Sequence, residues 1–176
     1  MKPLFLPLFA LLCATVSAQP FTQPATSTTA PAGSGLVAAN ATVSKGILTL
    51  SLKSNGGEFT SWTHVFIDLG SAAKPSYNHT SGKPAGNSFE ILLEGAQAYR
   101  FTGDSPNVWS WSPLAGVTVE RTVTGDTLTL KTALAPLGLP AGATVRLFAS
   151  TYTENYADTL DTLPRNTGVW SLAVPK

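Results

Sequence analysis

From Ile47 to Leu52 the chain alternates apolar and polar residues, then breaks at Asn55-Gly56-Gly57. A period of two is the mark of a strand with one face buried. The same signal recurs. "FTSWTHVFIDL" reads as a long strand rich in Thr and aromatic residues, and "SFEILLEG" as another, with "AYRF" pairing back on it across Gly95. "VWSWS" is short, and "VTVERTV" and "TLTLKT" form a hairpin about Thr124-Gly125-Asp126. "TVRLFASTYT" follows a Pro-Ala-Gly turn, and "VWSLAV" closes the chain. One short helical turn is expected over 133–138, in "ALAPLG", with Gly138 as its stop. Strands of this length and spacing predict an all-β fold, an antiparallel β-sandwich of jelly-roll type with seven or eight strands.

Three of these strands carry two unlike faces. In "FTSWTHVFIDL" Ser61, Thr63, Val65, Ile67 and Leu69 share one side, and Thr60, Trp62, His64, Phe66 and Asp68 the other. Phe89, Ile91 and Leu93 oppose Ser88, Glu90, Leu92 and Glu94. Val145, Leu147, Ala149 and Thr151 oppose Arg146, Phe148, Ser150 and Tyr152. If the three mixed faces belong to one sheet, Trp62, His64, Glu90, Arg146 and Tyr152 converge on a groove. Aromatic faces that cover the C–H side of a sugar, with charged groups for its hydroxyls, are what a carbohydrate site requires. The competing expectation is an ordinary solvated sheet face. Tyr99 and Phe101 are expected to fill the space between the sheets. Trp109 and Trp111 follow the turn-like "GDSPN", near a loop end, where one of them is expected to meet a ligand.

The first 35 residues differ in kind. Lys2, the apolar run Leu4–Leu12 and "VSA" read as a signal peptide over residues 1–18, cut after Ala18; the run is too short for a membrane anchor. Leu12 before Cys13 does not suit lipidation. Residues 19–35, "QPFTQPATSTTAPAGSG", lack a core-forming pattern and read as a disordered tail, with the folded domain over 36–176. Removing residues 1–18 takes away the only cysteine and leaves ten Lys and Arg against ten Asp and Glu. An exported, cysteine-free chain of this length holds together by its core and fits a bacterial protein, secreted or of the periplasm or cell envelope. Its charge balance argues against nucleic acid, and no membrane insertion is expected after cleavage.

Catalytic signals are sparse. His64 and His79 are the only histidines, and no nucleophile elbow, phosphate loop or HExxH occurs. A pair of carboxylates for hydrolysis is available in Glu90 and Glu94, or in Asp158 and Asp161. The latter pair, in "DTLDTLPRNTG", also raises a Ca²⁺ site, against the simpler reading of a turn. No enzyme activity, metal or cofactor is assigned.

The order "HVFIDL", "SFEILLEGAQAYRFTG", "WSW", "DTLTLKTALAPLGLPAGATVRLFAS" and "DTLDTLPRNTGVWSL" resembles the family 9 carbohydrate-binding-module-like, or DOMON-like, β-sandwich domains. The likeness runs roughly from Thr63 to Leu172. It aligns Glu90 with an acidic position of the second segment, and Asp161, Pro164 and Gly168 with a closing motif. It implies a non-catalytic sandwich that binds carbohydrate or a similar ligand. The DOMON relatives imply haem as an alternative, which here would rest on His64 or His79. A third possibility is a structural or protein-interaction module of the envelope.

Overall fold

The computed structural model describes residues 17–22, 29–70, 76–78, 88–139, 141–165 and 170–176. It is an all-β sandwich of two antiparallel sheets. In chain order the strands are β1 (Ser17–Thr22), β2 (Leu36–Ser44), β3 (Ile47–Ser54), β4 (Trp62–Asp68), β5 (Ile91–Glu94) and β6 (Gln97–Phe101). They continue with β7 (Trp111–Pro113), β8 (Glu120–Thr124), β9 (Thr127–Ala133), β10 (Thr144–Tyr152), β11 (Thr159–Leu163) and β12 (Trp170–Ala173). One sheet runs β1-β2-β3-β9-β8 and the other β11-β10-β4-β5-β6-β7, with β12 beside β11 along the same edge of β10.

Local chemistry accounts for the hairpins. Thr124 pairs with Thr127, so β8 and β9 are joined by two residues, and Gly125 takes the first turn position at φ +56°. Only glycine enters that region without a Cβ clash, and the resulting twist matches the strands. The expected helical turn is a 3₁₀ turn over Ala135–Leu137, ended by Gly138.

Between the sheets lies one continuous core. Leu48, Leu50, Leu52, Leu128 and Leu130 enter it from one side, and Val65, Ile67, Ile91, Leu93, Val145 and Leu147 from the other. The alternation expected for β3, β4, β5 and β10 is therefore the one observed, except at Phe89, expected beside Ile91 and Leu93 but packed with Phe66 and Phe148 in the outer cluster just before β5 begins. The two sheets differ on their outer sides. The five-stranded sheet presents Thr42, Thr49, Ser51, Thr129 and Lys131 outward, as a solvated antiparallel sheet does. The seven-stranded sheet is buried on both faces over β4, β5 and β10, and its outer side carries a second cluster: Phe66, Phe89, Leu92, Phe101, Phe148 and Tyr77.

The expected number of strands is corrected here. β1, β2 and β11 add strand pairing to the runs read from the sequence, which brings the total to twelve among the described residues. The sequences of β2 and β11, "LVAANATVS" and "TLDTL", are small or polar and alternate weakly; pairing with β3 and β10 makes them strands. Pairing and hydrogen bonds are also described for parts of the stretch before Leu36. Ser17–Thr22 pairs antiparallel with Val43–Ala38 of β2, across the expected cleavage point after Ala18. Residues Ala30 to Gly35 are tied down as well: Asn55 Nδ2 donates to the Ala30 carbonyl, the Gly35 N–H donates to Asn55 Oδ1, and Thr151 Oγ1 donates to the Ser34 carbonyl. A Thr- and Pro-rich segment without its own core can still order against one supplied by neighbours. Residues 1–16, which carry the apolar run, and 23–28 lie outside the described residues. Among the described residues no helix is long and apolar enough to cross a membrane.

Candidate functional site

The outer face of the seven-stranded sheet bears the expected residues. Register places Trp62 opposite Tyr152, His64 opposite Ser150, Phe66 opposite Phe148 and Asp68 opposite Arg146. On the other flank of β4, His64 faces Glu94 and Phe66 faces Leu92. The three mixed faces are thus one face of one sheet.

They do not form an open groove. The face has an apolar middle and two polar ends. Trp62 and Asp68 stand six residues apart on β4, roughly 20 Å at ~3.3 Å per residue. Glu90 and Arg146 lie at one end with Asp68; Trp62, His64 and Tyr152 lie at the other. Phe66 and Phe148 separate them, under Tyr77 and Phe89. The convergence of five residues is corrected by length: residues sharing a face of a strand are spread along it.

At the first end the charged groups serve the fold. Arg146 Nη2 is 2.6 Å from Asp68 Oδ2, and Asp68 accepts the Gly70 and Ser88 N–H groups. Glu90, only 2% exposed, accepts the Leu69 N–H at 2.7 Å through Oε2. Burial, and next the Asp68 charge among the raising influences, pushes the Glu90 carboxyl above the usual range, against the Leu69 hydrogen bond. These contacts fasten the chain leaving β4 to the chain entering β5.

At the second end the groups are arranged differently. His64 Nε2 lies 3.4 Å from Glu94 Oε2. The imidazole is 3% exposed and stacks with Tyr156 at 4.2 Å and with Trp109 at 5.4 Å. Tyr152 tilts against it at 4.7 Å, and Trp62 meets Tyr156 edge-on at 4.8 Å. Burial raises the Glu94 carboxyl, partly offset by the Tyr156 hydroxyl that bonds it. Burial pushes the Tyr152 hydroxyl up to about 12, and burial with the Glu94 charge raises Tyr156 as well. Both phenols therefore keep their protons at neutral pH. Trp62 and Trp109 remain 42% and 52% exposed, beside Val108, also open.

The aromatic-rich stretch from Tyr99 to Trp111 resolves onto this same face. Leu92 pairs with Tyr99 and Glu94 with Gln97, so Tyr99 and Phe101 point outward with Glu94 and Leu92. Phe101 pairs with Trp111, packs on it at 5.3 Å and is buried. The expectation that Tyr99 and Phe101 fill the space between the sheets is corrected: Phe101 is core, but of the second cluster, and Tyr99 is half-buried there. The two-residue turn at Gly95-Ala96 sets that parity. Of the two tryptophans, Trp109 is open and Trp111 half-buried, with Trp109 against Trp111 at 5.8 Å.

The carboxylate pairs come apart. Glu90 and Glu94 share a face but are four residues apart, roughly 13 Å at ~3.3 Å per residue, beyond the ~5–9.5 Å of glycosidase pairs. Asp161 is engaged by Arg165 and by the N–H groups of Leu36 and Thr162, while Asp158 is exposed beyond β11. Among the described residues no three His, Cys, Asp or Glu side chains cluster to hold a metal ion. For a haem, His64 would have to turn a nitrogen away from Glu94 and out of its stack; His79 and Gly168 lie outside the described residues. Tyr156 was not anticipated. It sits in a short turn, Glu154–Tyr156, where Asn155 and Tyr156 both have φ of +57°. Nothing in "TENYAD" announces this, because strand periodicity does not extend into turns.

No family model, curated protein or solved structure matches this chain.

Proposed function

We propose that this chain is an exported, non-catalytic β-sandwich that binds carbohydrate at the Trp62–Trp109 end of its seven-stranded sheet. The observation that carries this reading is the pairing of two exposed indoles with a polar set already ordered between them. Apolar rings left open on a protein surface mark a binding site when polar groups rim them. Here the rim is Glu94, Tyr152 and Tyr156, whose hydroxyls stay protonated. Indole faces suit the C–H side of a sugar ring, and the carboxylate and phenols suit its hydroxyls. The rings of this end are held by stacking, so little ordering remains to oppose binding. The order of motifs, which resembles that of family 9 carbohydrate-binding-module-like domains, points the same way. Export rests on the apolar run Leu4–Leu12 followed by "VSA".

The test is intrinsic tryptophan fluorescence titrated with soluble oligosaccharides of the glucan, xylan, mannan and pectin types. Saturable quenching by at least one is expected. Trp62→Ala should weaken that binding by about 1–3 kcal/mol, as the loss of an anchoring aromatic does. Binding that survives unchanged in the Trp62→Ala/Trp109→Ala double variant would refute the site, and silence across the panel would refute the function.

A further inference from the structure

A pocket of about 250 Å³ wraps the start of β4, where the mouth of the sandwich meets the Trp62 end of the outer face. Thr60, Ser61, Trp62, Thr63, Gly95 and Tyr156 line it, together with Arg121 of the other sheet. Its volume falls below the ~300–1,000 Å³ of drug-sized ligands, on the scale of a single sugar residue.

Arg121 is the informative member. It stands on the edge strand β8 at an inward position, paired with Leu130, so its side chain faces the opening between the sheets. Yet it is exposed. The salt bridges among the described residues take Lys53, His64, Arg146 and Arg165, and Arg100 donates to the Leu137 carbonyl. Arg121 has no ion-pair or hydrogen-bond partner among them. No carboxylate lines the pocket. Glu94, beside the lining Gly95, is engaged by the Tyr156 hydroxyl and faces His64. Ser61 adds a buried hydroxyl that likewise has no partner among the described residues. A planar guanidinium matches a carboxylate in bidentate geometry, and such charge-assisted bonds are about twice as strong as neutral ones.

We infer that this pocket takes a sugar residue bearing a carboxylate, with Trp62 against the ring and Arg121 on the acid group. The inference rests on the carbohydrate reading above and narrows it to uronic acid-containing glycans.

The experiment titrates the full chain with three acidic probes: tri-galacturonate, an alginate trimer and a hyaluronan tetrasaccharide. The methyl ester of each removes the charge and keeps the ring. At least one acid should bind tenfold or more tightly than its ester. In Arg121→Gln that preference should fall below threefold, and 0.5 M NaCl should reduce it in the wild type. Melting temperature controls for folding of the variant. An ester that binds as tightly as its acid, or a preference that survives Arg121→Gln, overturns the inference. Binding of neutral oligosaccharides with none of the acids overturns it too, while leaving the carbohydrate reading standing. Failure of acidic and neutral probes alike overturns both.

Discussion

Replacing Asp161 by alanine should be among the most damaging single changes in this protein. Its carboxylate is 8% exposed and accepts four hydrogen bonds. These come from the Leu36 N–H at 2.7 Å, its own neighbour Thr162 N–H at 2.8 Å, Arg165 Nε at 2.7 Å and Arg165 Nη2. Arg165 Nη2 also donates to the Leu36 carbonyl. One carboxylate thus joins β11, in one sheet, to the first residue of β2, in the other. The alanine leaves a guanidinium that is 12% exposed without its counter-charge, and orphans a buried backbone N–H. Breaking a buried ion pair by removing one partner costs about 3–5 kcal/mol. At roughly 2–4 °C per kcal/mol for a chain of this size, the melting temperature should fall by roughly 6–20 °C. Urea unfolding of Asp161→Ala, Arg165→Met and the double variant measures it. The double variant should be less destabilised than the sum of the singles, since it leaves no stranded charge. A loss below about 1 kcal/mol for Asp161→Ala, or strict additivity, would refute the reasoning, because a stranded buried cation predicts a large loss and a non-additive double variant.

Phe101→Ala should cost about 3–5 kcal/mol by opening a cavity beneath Tyr77 and Trp111, measured by chemical unfolding; near-neutrality would mean the outer cluster is not a packed core. Gly33→Ala should lower the melting temperature, since φ is +81° and an added Cβ would meet the Glu58 carbonyl oxygen at 2.2 Å; an unchanged melt would show that residues 29–35 do not pack against Glu58. Glu90 has a folded-state pKa above its unfolded value, so it favours the fold fully below about pH 4.5 and loses that contribution as pH rises through the folded pKa. Glu90→Gln should therefore gain stability relative to wild type between pH 4 and 7, and urea midpoints that stay parallel across that range would contradict the shift.

Much of this fold is legible in one dimension. Strand periodicity is local: a side chain's face depends on its parity and on the chemistry of its neighbours. That is why β3, β4, β5, β9 and β10, the Gly125 hairpin and the Gly138 stop could be read, and why Trp62, His64, Phe66, Phe148 and Tyr152 were placed on one side. Parity is silent about distance along a strand and about what covers a face. Glu90 and Arg146 have the right parity and stand at the wrong end, tied to Asp68. Tyr99 and Phe101 escape the reading because their face is inherited across a two-residue turn from Leu92 and Glu94.

What the tertiary structure alone decided is the assembly of the Trp62 end. Tyr156 reaches His64 from a turn with two successive residues at positive φ, and Trp109 reaches it from a loop forty-five positions along the chain. Arg121 reaches the same end from the other sheet. Their meeting depends on sheet order and on how one sheet lies over the other. These are set by packing energy summed over the whole core, which no short stretch of sequence contains.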